Sequence, residues 1–295
     1  MSFVTAEIES QPETWARAAH LAAEHAAALP EPGARVAVTG CGTSLYMAQC
    51  FAALRESAGF GETDAFPASE FPRARRYDQV VALTRSGTTT EIVRLLDALP
   101  EDRRTTVITT DPALPAAQRA GAVVALDFAD EQSVVQTRFA TSALALWRAH
   151  LGADLTAAIA DARVELAREL PADLVACEQF TFLGTGWTVG LANEAALKLR
   201  EASGSWAESY PAMEFRHGPI SVVAEHSAVW FFGAPPPGLT EEIAATGAAV
   251  AHAAEVDPMA QLIGAQRLAV ALAERKGLDP DAPRNLTRSI VLSDG

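Results

Sequence analysis

Apolar and polar positions along this chain alternate between two periods. Short β-branched runs at residues 36–39, 79–83, 105–109 and 123–126 read as buried strands, and between them the apolar period lengthens to that of a helix over 11–28, 45–57 and 89–98. Helix pattern resumes over 134–151 and 156–169. Pro171 and its polar neighbours predict a linker, after which 180–183 and 229–232 read as strands, 235–238 (PPPG) as a loop and 258–276 as a helix. Such alternation predicts βαβ units on parallel sheets, an α/β protein. The spacing divides the chain into a first domain at 1–168, with a leading helix, and a second at 169–295, each long enough for its own core. Two similar units suggest an internal duplication, although the halves share little direct sequence.

Chemistry concentrates in three places. The stretch 194–219, EAALKLREASGSWAESYPAMEFRHGP, opens as a helix on which Glu194, Lys198 and Glu201 stand at i, i+4 and i+7, one stripe. An isolated E-x-x-x-K is ordinarily a solvated, ion-paired face. Here it is followed by His217 in a tight turn closed by Gly218 and Pro219, and a histidine in such a turn ordinarily bonds to backbone. The other two places are strand-to-helix turns rich in hydroxyls, VAVTGCGTSLYMA at 36–48 and VVALTRSGTTTEIV at 80–93. Free amides at a helix start and Ser or Thr hydroxyls favour an incoming anion, and glycine lets the backbone approach it. Either turn could equally be a plain N-cap. Neither matches G-x-x-x-x-G-K-[ST], and the GTG at 184–186 is too short for a dinucleotide fingerprint.

Charge and composition narrow the classes. A formal charge of -14 without a basic cluster argues against nucleic acid as a partner. Cys41, Cys50 and Cys177 are an odd count without C-x-x-C spacing, so neither a disulfide framework nor a metal site is expected. Cys41 reads as a small residue against a ligand, since a nucleophile lacks an evident histidine partner. No cationic leader and no run of about 18 apolar residues is present, which predicts no membrane association and a cytoplasmic location.

Together these pieces resemble the sugar isomerase (SIS) family in its tandem form, most closely the isomerase half of glucosamine-6-phosphate synthase and stand-alone relatives acting on amino sugar phosphates. The resemblance rests on CGTS at 41–44, TRSGTT at 84–89, EQSVVQTRFAT at 131–141, LGTGW at 183–187, EAALKLRE at 194–201, EFRHGP at 214–219 and DAPRNLTRS at 281–289, in family order over nearly the whole chain. It implies two SIS domains, each a three-layer α/β/α sandwich around a mainly parallel, flavodoxin-like sheet, with a C-terminal tail closing over the site. It implies that Cys41, Gly42, Thr43, Ser44, Thr84, Arg85, Ser86, Thr89, Val134 and Gln136 hold the sugar phosphate. Glu201 falls on the family's base, which moves a proton between C1 and C2 through an enediol or enolamine. Lys198 would supply positive charge for the developing oxyanion, and His217 falls on the ring-opening histidine, which reaches a neighbouring subunit's site. A homodimer is therefore implied, with no cofactor.

Departures from the family pattern bear on the substrate. Arg288 stands where the synthase has an imine-forming lysine, and a guanidinium is not such a nucleophile. Arg288 could instead bind a carboxylate, a phosphate or a ring hydroxyl. Arg85 and Thr84 replace a glutamine and a serine, and Met213 and Trp206 replace Gly and His. The chain begins MSFVTAEIESQPETW and reaches its first strand near Arg35, so no glutamine-hydrolysing domain is expected. These features favour deaminating isomerisation of an amino sugar 6-phosphate, such as glucosamine-6-phosphate to fructose-6-phosphate and ammonia. Deglycation of an amino acid–sugar phosphate, plain aldose/ketose exchange and a non-catalytic sugar phosphate sensor remain as alternatives.

Overall fold

The structure, a computed structural model, describes residues 2–293. The chain divides into two compact units, each described by itself. One comprises Glu13–Glu131, Gln136–Leu155 and the chain from Thr287 onward; the other comprises the chain up to Pro12, Gln132–Val135 and Thr156–Leu286.

The N-terminal stretch forms α1 (Phe3–Glu9) and α2 (Gln11–Glu24). Then follow β1 (Val36–Gly40), α3 (Thr43–Ser57), β2 (Thr63–Pro67), β3 (Gln79–Leu83), α4 (Thr90–Ala98), β4 (Arg104–Thr109), β5 (Ala122–Ala125) and α5 (Arg138–His150). The five strands pair in parallel in the order β2-β1-β3-β4-β5. The register sets Val36 beside Gln79 and Thr39 beside Ala82. Ala37, Val80, Ala82 and Val107 pack against Ile92, Leu95 and Leu96 of α4. Elsewhere in this unit, Phe51 of α3 stacks on Trp147 of α5 with ring centroids 4.6 Å apart. β1 and β3 are buried at every position, as strands covered on both faces must be.

The other unit adds to α1 the elements α6 (Thr156–Ala167), α7 (Ala172–Ala176), β6 (Gln179–Gly184), α8 (Thr188–Ser203), β7 (Trp206–Pro211), β8 (Ser227–Phe232), α9 (Leu239–Ala244), β9 (Ala249–Ala251) and α10 (Pro258–Arg275). Its four strands are parallel in the order β7-β6-β8-β9, which repeats the order of the first four strands of the other sheet. Leu183, Val229 and Phe231 pack against Leu239 and Ile243 of α9 and against Phe215. Helices α8 and α10 pack on each other. The α/β reading and its parallel sheets therefore hold, and the strand order is that of flavodoxin-like folds. No helix among the described residues is long and apolar enough to cross a membrane.

The differences from the sequence reading have local causes. Helix α5 begins at Arg138, not at 134, because the Glu131 carboxylate accepts the amides of Thr137 and Arg138 and starts the helix there. Pro171 precedes the short helix α7, so the linker region carries a helical turn of its own. Edge strands β2 (TDAFP) and β7 (WAESYP) carry acidic residues and end on proline, a composition that hides a strand from pattern reading.

The start of α8 lies so close to β6 that a Cβ at residue 184 would stand 2.3 Å from Thr188 O and 2.6 Å from Val189 N. Gly184→Ala is expected to lower stability by about 1–3 kcal/mol. Urea unfolding followed by circular dichroism checks this, and a midpoint equal to wild type would mean that the turn shifts freely.

Candidate functional site

Both hydroxyl-rich turns lie at the carboxyl ends of β1 and β3, the neighbouring strands at which the strand order reverses. Open parallel sheets leave a ligand crevice at that point. In the first turn a Cβ on Gly40 would meet Ser44 C at 2.6 Å, so only glycine lets the chain fold back this tightly. Gly42, with φ +55°, then starts α3, whose first residues Thr43 and Ser44 are buried. Burial, and then the negative charge of Glu91, push the Cys41 thiol up to about 11. Cys41 is a neutral thiol at working pH, suited to packing against a ligand and not to nucleophilic attack.

The second turn is closed internally and then by the chain's own tail. Thr84 N–H donates to Ile108 O at 3.0 Å, and the Thr84 hydroxyl accepts from Gly87 N–H at 3.2 Å. Ser86 Oγ and Thr88 Oγ1 donate to Ser289 Oγ at 3.1 and 2.9 Å, and Thr89 Oγ1 lies 3.4 Å from the same atom. Ser86 and Thr89 also face each other at 3.3 Å. Beyond Ser289, Thr90 N–H at the start of α4 donates to Ile290 O at 3.0 Å, and Leu292 N–H donates to Thr90 Oγ1 at 2.8 Å. Three hydroxyls and a helix-start amide thus converge on a hydroxyl and a carbonyl of the tail, the oxygen-ligand geometry that such turns favour.

Arg85, inside this turn, is fully buried. Its Nη1 lies 3.3 Å from Glu131 Oε2, with side-chain exposures of 1% and 0%. The other oxygen of Glu131 accepts Thr137 N–H at 2.5 Å, Thr137 Oγ1 at 2.9 Å and Arg138 N–H at 2.8 Å. Arg85 Nη2 also donates to Arg288 O at 3.4 Å, and Arg85 O accepts the Thr110 hydroxyl at 3.0 Å. The Arg288 guanidinium pairs with the Asp130 carboxylate and donates to Glu131 O, so in this structure it fastens the tail. Gln136 Oε1 is buried without a hydrogen-bond partner among the described residues.

In the other unit, α8 carries the charged stripe. Lys198, 1% exposed, sits with its ammonium 3.5 Å from Glu194 Oε1 and in closer contact with Glu201. Glu194 is as buried as the lysine, whereas the Glu201 side chain is 20% exposed. Gly204, in the left-handed conformation at φ +58°, ends the helix one turn later. Glu201 lines a cavity of about 660 Å³ together with Arg200, Lys276, Asp279, Arg284 and Asn285. A buried ammonium beside a partly exposed carboxylate fixes the position of that carboxylate and can stabilise negative charge developing next to it.

His217 ends a 3-10 turn and is exposed; it makes no hydrogen bond or ion pair among the described residues. Its neighbour Arg216 anchors the turn through Glu242, at 2.8 and 2.9 Å, and through Pro237 O. The segment preceding Gln136 is held by the buried Glu7, whose carboxylate accepts Gln132 N–H at 2.6 Å and the Ser133 hydroxyl, while Val134 N–H donates to Asp281 O at 3.1 Å. The contacts made by Glu7, Asp130, Asp281 and Ser289 escaped the sequence reading. Each acts on a partner more than a hundred residues away, and no local spacing signals that.

No family model matches the chain. The glutamine–fructose-6-phosphate aminotransferase (isomerizing) of Pyrobaculum aerophilum is 28% identical over 73% of this chain and 44% of its own length. The chain spans less than half the length of the curated relatives it matches first. The crystal structure of glucosamine-6-phosphate deaminase from Thermotoga maritima aligns with a TM-score of 0.84 at 23% identity, over 99% of this chain and 100% of that one. Tagatose-6-phosphate ketose/aldose isomerase from Escherichia coli aligns with a TM-score of 0.80 at 20% identity, over 99% and 97%. At these identities the likeness establishes the fold.

Two outcomes follow from the first turns. Glu131→Ala leaves the Arg85 guanidinium buried without its counter-ion and is expected to cost about 3–5 kcal/mol. Denaturant midpoints check this, and an unchanged midpoint would mean that water reaches Arg85. Alkylation of Cys41 by iodoacetamide, followed by peptide mass mapping, should accelerate about tenfold per pH unit from pH 7 to 9 without levelling off. A plateau near pH 8.5 would contradict the raised thiol.

Proposed function

We propose that the chain is an enzyme of the SIS family, its two units acting as paired SIS domains, that isomerises an amino sugar 6-phosphate and releases the nitrogen as an amine. The simplest such substrate is glucosamine-6-phosphate, which with one water gives fructose-6-phosphate and ammonia. The observation that carries this reading is the α8 stripe, a buried Lys198 holding a partly exposed Glu201 at the wall of a cavity large enough for a small molecule. The ordered motifs and the names of the relatives and structural neighbours support it.

In this reading the hydroxyls of Ser44, Ser86 and Thr89 and the free amides of their turns bind the phosphate and sugar hydroxyls, displacing Ser289 from the second turn. Cys41, Gly42, Thr43, Thr84, Val134 and Gln136 shape that pocket, and the buried amide oxygen of Gln136 offers an acceptor for a sugar hydroxyl. Arg85 and Arg288 act by holding the turn and tail. Once the ring is open, Glu201 removes the proton from C2 and returns it to C1, converting the C2 amine and C1 aldehyde, through an enolamine, into a C2 imine and a C1 hydroxyl. Water adds to C2 and the C2–N bond breaks. The Lys198 ammonium stabilises the charge that develops on the C1 oxygen. His217, exposed and without a partner in its own chain, opens the ring at the site of a second copy, in a cytoplasmic homodimer.

The test is an assay with glucosamine-6-phosphate that follows ammonia and fructose-6-phosphate together. Equal amounts of both are expected, and Glu201→Gln should lower kcat by about a hundredfold or more. Interconversion of ketose and aldose phosphates without ammonia would replace deamination by plain isomerisation. Turnover that survives Glu201→Gln would remove Glu201 as the base.

A further inference from the structure

At the β9 edge of the four-stranded sheet lies a cavity of about 280 Å³ that shares no lining residue with the one beside Glu201. It is walled by Trp230 on β8, by β9, by the end of α6 and the segment leading into α7, and by the turn of α10 that carries Gly264. The room exists because β9 is three residues long and sets Ala251, a small side chain, beside Trp230. Phe182 and Phe232 flank the indole, with ring centroids 6.3 and 6.5 Å away, and fix its position. Nε1 of this ring is buried without a hydrogen-bond partner among the described residues. A buried N–H left unpaired costs about 1–3 kcal/mol, and a native protein ordinarily meets it with water or a ligand.

Glu165, 4% exposed, faces the same space. A Cβ on Gly264 would stand 3.1 Å from Trp230 Cη2 and 3.5 Å from Glu165 Oε2, so indole and carboxylate flank one point. Glu165 Oε1 has the Arg168 guanidinium 2.9 Å away as counter-ion yet accepts no hydrogen bond. Burial, ahead of the opposing pull of Arg168 and Arg267, pushes this carboxyl up. Arg267 is engaged by the carbonyls of Glu165 and Arg168, at 2.8 and 2.5 Å. Glu169 and His252 line the cavity, are exposed, and make no hydrogen bond or ion pair among the described residues. With Asp173, the carboxylates of the lining outnumber its two arginines.

We propose that this cavity is a second small-molecule site, for a hydroxylated ammonium such as an unphosphorylated amino sugar, with the ammonium at Glu165 and Glu169 and a hydroxyl oxygen on the Trp230 N–H. An ammonium supplies the donors that Glu165 Oε1 lacks and offsets the charge that burial disfavours. It also stands beside an indole, the aromatic ring that attracts cations most strongly. The hydroxyl oxygen accepts the one buried N–H of the wall, and the ring carbons lie against Leu170, Leu174 and Val250. A phosphate or a carboxylate is disfavoured, since acidic groups predominate and both arginines already have partners. The site is thus opposite in character to the hydroxyl-rich turns of the other unit, which favour anions. It stands whether or not Glu201 is a base.

The probe is glucosamine, titrated calorimetrically into the full-length protein at a pH where its amine is protonated, with glucose as the same ring without the charge. One glucosamine per chain is expected, with glucose weaker by about tenfold or more. Trp230→Phe keeps an aromatic ring and removes the N–H, and should weaken glucosamine by about threefold or more. Glu165→Gln keeps the shape and removes the charge, and should weaken it by about tenfold or more. Near-ultraviolet circular dichroism reports whether each variant folds. Ala251→Leu, which fills the cavity and leaves every polar group in place, should abolish binding by itself. Saturating fructose-6-phosphate should leave glucosamine bound. Equal affinity for glucosamine and glucose, or an affinity unchanged in all three folded variants, overturns the proposal. Displacement by fructose-6-phosphate also overturns it, by moving glucosamine to the sugar phosphate site. A titration without binding in the millimolar range assigns the cavity to water alone and overturns it as well.

Discussion

Arg85 and Glu131 face each other at 3.3 Å with almost no exposure, and charges so far from water persist only when neighbouring donors and acceptors replace most of the solvent they lose. That requirement organises the carboxyl edge of the five-stranded sheet. One oxygen of Glu131 holds the arginine, and the other starts α5 by accepting two amides and a hydroxyl. Arg85 reaches onward to a tail carbonyl, and its own carbonyl accepts threonine hydroxyls from the end of β4. The β3 turn, the start of α5 and the tail are therefore set by one pair of charges. Sheet packing alone would hold the strands and leave those three pieces unfixed.

The same economy operates in the other unit, with a carboxylate or an ammonium placed where backbone donors and acceptors would otherwise be orphaned. Glu7 collects the amides of Gln132 and Ser133, and Asp281 collects those of Phe3 and Val4 at the start of α1. Lys198 differs because its neighbours are carboxylates on its own helix. Burial of two of the three side chains gives the third, Glu201, a fixed position and an open face.

The fold was legible in the sequence wherever hydrophobicity decided it. The continuous apolar runs of β1 and β3 and the stripe of α4 are the signatures of strands buried on both faces and of a helix lying on them. The edge strands β2 and β7 were hidden because they are polar and end on proline, and 134–137 read as helix because periodicity cannot see a cap that comes from Glu131. At the candidate site, the turns and the α8 stripe were legible because their residues are close in sequence. The attachment of Arg288 to Asp130 and of Ser289 to the second turn was not, since those contacts span more than 150 residues.

The tail in the second turn is, in thermodynamic terms, a tethered ligand. Ser289 Oγ sits 2.9–3.4 Å from three hydroxyls and is never diluted, because the chain that carries it is fastened by Arg288 beside the same turn. A group on such a short tether has a local concentration on the order of millimolar. Any free oxyanion that takes those hydroxyls therefore competes with an occupant that dilution cannot remove. Its apparent affinity is its intrinsic affinity scaled by the fraction of time the tail is away. By reciprocity, every such ligand bound raises the fraction of tails released, so occupancy of the turn and departure of Ser289 from it are two readings of one equilibrium.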